Sequence, residues 1–501
     1  MRREEADTVV VGSGIAGVLV ARELARRGME TTIVERGSFL PWREQLRLDR
    51  WEGSSPTSVH NHETDPRGLD WGWDYVYGVG GSMNRWTGIA PRLLPEDFEV
   101  KSRFGVARDW PLSYDDLAPY YRKAEALLSV AGQANGLMPG ADYPLPPHPL
   151  SPQDRALEPH LEPFIRLPQA RPTRPVRGRP ACCGSARCML CPVDARFSVL
   201  NGLGRVLDDP RVRIIDRTVA VRLRPASSHR RIATLECTDA RGGSVTLHAS
   251  RFVLAANGIE NPALLLRSEI DEGDTGRYIT DHVDAELAVR TSKPVSPGHG
   301  SSLETGASYA YYTGGFRSRR AALLLVPSNP GQPIPRDAIV DRLAAGQTGQ
   351  RMRRRVVAEW ERTLSISVQC DDLPDRRNAV TLSSRRDRFG IPLNRIHFAG
   401  PTDYQRRAVH HLVEDLPRRL RTLRARDVKL SYPQASGHLI GSVRMGLDDG
   451  AVLDPDLRHR RYENLFVAGS AVFPTIAATP PSLTIAALAV RLGRFIAGGS
   501  A

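Results

Sequence analysis

Four cysteines fall within a short segment, Cys182, Cys183, Cys188 and Cys191, in the order C-C-x4-C-x2-C with Pro192 after the last. Thiolates at that density surround either an iron–sulfur cluster or a zinc ion. Adjacent cysteines diverge, which suits a tetrahedral zinc poorly, and a terminal Cys-Pro is a feature of bacterial ferredoxin runs. A segment that holds no metal is the third reading. A second feature is glycine spacing. Gly12, Gly14 and Gly17 form G-x-G-x-x-G, and an acid, Glu35, closes the next apolar run. In a dinucleotide site Gly12 allows a tight turn, Gly14 lets backbone approach a pyrophosphate, and Gly17 lets helix pack on strand. Glu35 can then accept hydrogen bonds from both ribose hydroxyls. A third feature is the loop Gly78-Val79-Gly80-Gly81-Ser82-Met83-Asn84, whose paired glycines let backbone lie against a flat ligand. Last comes a lone histidine, His438, in a glycine-flanked loop. Its side chain titrates near neutral pH, so it can either move a proton or serve as a structural hydrogen-bonding group.

The first motif needs a strand before it and a helix after it, and both are present. Thr8 to Val11 is a β-branched run. Leu19, Val20, Leu24 and Ala25 recur at helix spacing, and Thr32 to Val34 forms the second strand. The positive end of the helix then faces the phosphates. The stretch Arg36 to Tyr77 reads as loop-rich. Ser113 or Tyr114 starts a helix running to about Ala131, with Asp115 and Asp116 in its first turn. Met138 to Pro152 is proline-rich and reads as an extended connector. Val212 to Leu254 is strand-rich, with Val219 at the head of an alternating run. Residues 252–262 read as another strand, turn and helix. Between Val283 and Leu430 strand-like runs (Leu364 to Val368, Ala379 to Leu382) mix with a helix near Gln405 to Arg424. Asn464 to Ser470 is a strand ending in small residues, and Gly469 and Ser470 offer backbone N–H groups to the same ligand. A final helix spans about Thr484 to Ile496.

A chain of 501 residues with 41% hydrophobic and 25% charged content is ordinary for a globular protein of two interwoven domains. No apolar run approaches the roughly 18–20 residues of a membrane span. The N-terminus lacks an apolar signal region, so a cytoplasmic location is expected, with export alongside a partner left open. Net charge is +13, nearly all of it arginine. No aromatic residues interleave the cluster at Arg351–Arg355, and no nucleic-acid binding is expected.

Taken together, G-S-G-I-A-G with Glu35, G-V-G-G-S-M-N-R-W, A-A-N-G-I-E, G-H-L-I-G-S-V-R-M-G and N-L-F-V-A-G-S-A-V-F-P-T resemble the glucose–methanol–choline (GMC) oxidoreductases. Within that family the chain is most similar to the catalytic subunits of bacterial FAD-dependent glucose, gluconate and sorbitol dehydrogenases. The resemblance implies an α/β fold: a Rossmann-like FAD-binding domain interwoven with an α+β substrate-binding domain on an antiparallel sheet. The expected division is 1–282 for the FAD domain, 283–430 for the substrate domain, and 431–501 returning to the first. It implies FAD at Gly12, Ser13, Gly14, Ala16, Gly17 and Glu35, with Gly80, Gly81, Asn84, Val219, Gly469 and Ser470 also at the cofactor. It implies an iron–sulfur cluster at the four cysteines. The last two are two residues apart where the glucose enzymes carry three, so 3Fe-4S and 4Fe-4S both stand.

The resemblance further implies hydride transfer from a sugar or polyol-like alcohol to the flavin, with His438 as base. Electrons would leave through the cluster to a cytochrome or quinone, and a small partner subunit would assist. Two positions depart from the family. Pro480 stands where a second His or Asn is usual. Either Thr479 or Ser482 replaces it, or His438 acts alone. Arg85 stands where pyranose oxidases carry a histidine bonded to FAD, so FAD is expected to be noncovalent. Competing readings are an oxygen-using or secondary-metabolite tailoring oxidase, a non-redox FAD-containing lyase, and a catalytically degraded binding protein.

Overall fold

The structure is a computed structural model that describes residues 2–52, 58–59, 62–69, 75–227, 230–298, 303–329 and 336–498. The β-branched opening run is longer than its sequence signature, extending over Arg2–Val11. It lies at the centre of a sheet. On one side come the parallel strands Thr31–Val34 and then Val212–Ile215. On the other lies the long strand Ser244–Leu254, parallel to it along almost its full length. The outer edge of that long strand is shared. Its first half pairs antiparallel with Ile232–Asp239, which continues to Thr218–Pro225. Its last three residues pair in parallel with Leu465–Val467. The C-terminal segment thus re-enters the first sheet and brings Gly469 alongside the Gly12 turn.

Helix Ile15–Ala25 is buried along nearly all its length and packs against the C-terminal helix Ser482–Ile496. A Cβ on Gly493 would sit 2.7 Å from Glu23 Cβ, so this crossing requires glycine. Helix Tyr114–Leu128 packs on the same C-terminal helix. Ser113 caps it and exchanges hydrogen bonds with Asp116 in a capping box. The helix ends at Leu128, where Ser129 turns left-handed, rather than near Ala131. The stretch Arg36–Tyr77 also departs from expectation, since it contains the helix Trp42–Glu52.

The second sheet is antiparallel throughout, in the order Arg426–Ala435, Val283–Arg290, Thr363–Cys370, Leu323–Pro327, Gly306–Tyr311, Phe164–Arg166. One face packs Leu287, Leu364, Ile366 and Val368 against Leu412 and Leu416 of helix Asp403–Arg419. The opposite face, built from the alternate residues, is polar at Asp284, Glu286, Ser367 and Gln369. Glu286 pairs directly with Ser367 in the strand register.

Candidate active site

A cavity of about 640 Å³ runs between the two sheets. At one end the G-x-G-x-x-G turn behaves as its spacing predicts. Gly12 has φ +103°, and a Cβ there would lie 2.5 Å from the Ala255 carbonyl. A Cβ on Gly17 would lie 2.0 Å from the Gly12 carbonyl, so helix and turn meet without side chains between them. A Cβ on Gly14 would meet nothing within 4 Å. Gly14, Ala16, Glu35, Val219, Gly469 and Ser470 all line the cavity. Gly81 reaches the wall against the Cα of Gly14, which a Cβ on Gly81 would approach to 3.1 Å.

Four of the expected cofactor residues stand behind this wall. Ser13 is buried. Its N–H and hydroxyl both donate to Glu35 Oε2, at 3.0 and 2.7 Å, while the Gly37 N–H donates to Oε1 at 2.8 Å. Burial holds the Glu35 carboxyl above its ordinary value, and these hydrogen bonds offset part of that rise. Gly80 donates its N–H to the Ser13 carbonyl. Asn84 turns inward and donates to the Val79 carbonyl at 2.9 Å, closing its own loop. Gly17 is the helix contact already described. The bare backbone at Gly14 and Gly469 forms a cradle that suits the pyrophosphate and ring system of a flavin dinucleotide.

At the other end, His438 lines the cavity beside Ser436, Pro480 and Ser482. The loop that carries it is clamped by Asp281, a fully buried residue. The carboxylate of Asp281 accepts the successive N–H groups of Ser436, Gly437 and His438 at 3.1, 2.9 and 2.7 Å. The next residue, His282, meets the imidazole itself: the two Nδ1 atoms are 2.8 Å apart, with the rings perpendicular. Ser436 Oγ is also 2.8 Å from His438 Nδ1. His282 Nε2 faces the Ala477 carbonyl. Burial, and after it the neighbouring imidazole, hold His438 well below the ordinary histidine range. Burial lowers His282 to about 4.

These contacts fix the tautomers. A carbonyl oxygen only accepts, so His282 Nε2 carries a proton. A neutral His282 then has a bare Nδ1, and His438 Nδ1 must donate to it. The proton of His438 is thereby placed on Nδ1, and its Nε2 is left as a lone-pair acceptor at the cavity. Neither Asp281 nor His282 stands out as a motif in the sequence; the only signal is an Asp-His pair just before an alternating strand. Of the two substitutes for the residue at Pro480, Ser482 reaches the cavity. Thr479 is buried and bonded to the Tyr312 hydroxyl at 2.9 Å.

The cysteine segment borders the same cavity through Met189. The Arg196 guanidinium ties it to the glycine loop, donating to the carbonyls of Met189, Trp86 and Asn84. The expected convergence of the four sulfurs is not what the structure shows. Cys183 is exposed and Cys182 half-buried, while Cys188 and Cys191 are buried. Arg171 donates to Cys188 Sγ at 2.6 Å, and the Ala195 N–H donates to Cys191 Sγ at 3.3 Å. Among the described residues no three His, Cys, Asp or Glu side chains close on one point as metal ligands.

A glycine turn under a mixed parallel sheet, a returning C-terminal strand, and a histidine on the wall of the same cavity resemble the arrangement of the FAD-dependent GMC oxidoreductases. The family of GMC oxidoreductases matches residues 374–489, and that of FAD-dependent oxidoreductases matches residues 7–45. The chain is 28% identical to the fructose dehydrogenase large subunit of Gluconobacter japonicus, over 97% of this chain and 96% of that one. It is 29% identical to 6'''-hydroxyparomomycin C oxidase of Streptomyces lividus, over 98% of this chain and 91% of that one. Among solved structures, pyridoxine 4-oxidase from Mesorbium loti superposes with a TM-score of 0.69 at 19% identity, covering 99% of this chain and 100% of that one. Both family matches describe the chain as an oxidoreductase, FAD-dependent in the second.

Proposed function

We propose that the enzyme oxidises a CH–OH group of a sugar or polyol-like alcohol to a carbonyl, with His438 as the base. The observation that carries this is the His282–His438 contact, which leaves His438 Nε2 unprotonated at the cavity. FAD, bound without a covalent link at the Gly14–Gly81–Gly469 cradle, supplies the hydride acceptor. His438 Nε2 takes the hydroxyl proton while the C–H hydrogen leaves with both bonding electrons as hydride, so the alcohol loses two hydrogens and two electrons in all. Ser436 and Asp281 hold the imidazole in place. Ser482 is the remaining polar group beside Pro480. Arg85 carries no group that bonds a flavin covalently, which supports release of FAD on acid precipitation.

For the cysteine segment we propose that Cys182, Cys183, Cys188 and Cys191 would hold an iron–sulfur cluster, which would supply one-electron chemistry there. Supporting it are four thiols in one short stretch, its place against the cavity, and the Arg171 and Arg196 guanidiniums beside the buried sulfurs. As folded, the segment does not form a cage, and Cys182 and Cys183 would have to swing inward to complete one. Iron and sulfide analysis of anaerobically purified protein decides it. A second reading, with oxygen as acceptor, is favoured by the similarity to 6'''-hydroxyparomomycin C oxidase. Peroxide released in air during turnover would select it. A partner subunit is proposed from the similarity to a protein named a large subunit.

The test is anaerobic mixing of the holoenzyme with a panel of sugars and polyols. Bleaching of the flavin by one or more of them is expected. A flavin that stays oxidised throughout the panel supports the non-redox reading instead.

A further inference from the structure

The polar face of the antiparallel sheet lines the same cavity as His438. Asp284 lies on strand Val283–Arg290, and Ser367 and Gln369 lie on the adjoining strand Thr363–Cys370. Glu304 precedes strand Gly306–Tyr311, and all four line the cavity. Three of their oxygens are buried with no hydrogen-bond partner among the described residues: Asp284 Oδ1, Glu304 Oε2 and Gln369 Oε1. Gln369 is only 8% exposed. Buried acceptors are rarely left unmet, because each costs the full desolvation of its group. All three atoms are oxygens, and each accepts a hydrogen bond when the carboxyls are ionised.

Charge points the same way. The groups acting electrostatically on Asp284 are Asp281, Glu286 and Glu304, all acidic, with the Ser436 hydroxyl as its hydrogen-bonding neighbour. Glu304 faces Glu286, Asp154 and one cation, Arg171. That guanidinium is already committed to the Gln169 side chain, the Cys188 sulfur and the Glu304 carbonyl. Of the arginines on the cavity wall, Arg36 and Arg267 pair with Glu260 beside the nucleotide turn, and Arg85 belongs to the glycine loop. In a chain of net charge +13, the end of the cavity facing His438 is acidic. Burial raises both carboxyls, Glu304 to about 7, which is the cost of leaving them without a cation.

We propose that the substrate carries a protonated amine near the hydroxyl that is oxidised, received by Asp284 and Glu304 with Gln369 as a further acceptor. An ammonium has three donors and no acceptor, matching three unmet oxygens. A neutral polyol hydroxyl brings one donor and no charge, so it cannot draw the two raised carboxyls into their ionised form as an ammonium does. The substrate class is therefore an amino sugar or amino-polyol. This rests on the reading of the cavity as the substrate chamber of an alcohol-oxidising flavoenzyme.

The test titrates the holoenzyme with D-glucosamine and neamine, and with D-glucose and N-acetyl-D-glucosamine as neutral counterparts. Perturbation of the oxidised flavin spectrum reads binding, and anaerobic bleaching reads oxidation. At least one amine should bind at least about tenfold more tightly than the neutral sugars. That preference should collapse in Asp284→Asn and in Glu304→Gln, with FAD content confirming that each variant folds. It should persist in Glu286→Gln, which lies on the same sheet face off the cavity wall. Neutral sugars binding as well as both amines, no perturbation by either amine, or a preference that survives both substitutions overturns the proposal. An amine that perturbs the flavin without reducing it upholds amine recognition and removes the oxidase or dehydrogenase reading. Equal reduction by glucose and glucosamine does the reverse.

Discussion

In the proposed mechanism His438 serves as base because its second nitrogen is spoken for, and His282 performs that service. Its Nε2–H is held by the Ala477 carbonyl, so its Nδ1 has only a lone pair to offer His438. His282 touches neither cradle nor cavity wall and acts through its neighbour, as a positioning residue. His282→Phe keeps the ring volume and removes both hydrogen bonds. The rate of flavin reduction should fall by about tenfold or more with KM little changed, since tautomer control acts on proton transfer. His282→Gln, which restores an acceptor, should recover much of the rate. In the wild type the His438 imidazole lies well below the free value. A lowered value keeps the base unprotonated to lower pH, so the acid limb of the reduction rate should fall below pH 6.5, the ordinary histidine value. Stopped-flow reduction across pH reads both effects. An acid limb above that value contradicts the assignment. His438 itself was legible in the sequence through its glycine-flanked loop. His282 was not, because its role arises from a contact 156 residues away along the chain.

The elements around the cofactor divide glycines by what a side chain would meet. Gly14 has an extended backbone with open space at its Cβ position, on the cavity wall. Gly17 has backbone 2.0 Å away. Gly14→Val should therefore fold with unchanged circular dichroism yet lose at least about tenfold in FAD affinity, by filling the space a pyrophosphate needs. Gly17→Ala should instead lower stability by about 1–3 kcal/mol, as overpacking does. Equal stability loss in the two variants would contradict this separation. Strand, turn and helix were readable here because β-branched and apolar residues keep their own periods next to glycines. The polar sheet face was written in the sequence as well: V-D-A-E-L and L-S-I-S-V-Q both alternate. It carries meaning only once the two strands are paired, Glu286 opposite Ser367. The cysteine segment is the reverse case. Its spacing is conspicuous, yet the fold leaves one sulfur exposed, one half-buried and two buried, and gives Cys188 to Arg171.

Across the whole molecule the chain passes back and forth between its two largest sheets. Strand Phe164–Arg166 leaves the first half to edge the antiparallel sheet, and Leu465–Val467 returns to the first sheet. Interweaving of this kind was visible in the sequence as cofactor motifs at both ends of the chain. The cross-links that hold it were not. Arg317, fully buried, reaches Glu96 and Asp97 at 3.0 Å and Asp371 at 3.1 Å, joining the segment after the glycine loop to the antiparallel sheet. Removing the cation strands buried carboxylates, so Arg317→Ala should cost about 3–5 kcal/mol in chemical denaturation. A cost below about 1 kcal/mol would show that the pairing holds nothing together. No helix among the described residues is long and apolar enough to cross a membrane. The cavity lies where the two sheets face each other, with cradle on one side and base on the other, so that cofactor and substrate meet only in the assembled fold.

That arrangement makes one comparison decisive. His438→Ala and wild-type protein, matched in bound FAD, are mixed anaerobically with a substrate that bleaches the wild-type flavin, and the reduction rates are compared. The account predicts a fall of about 10²–10⁴-fold, the contribution of a positioned general base, with the oxidised flavin spectrum unchanged before mixing. Reduction at the wild-type rate would show that the proton leaves by another route and that His438 is not the base.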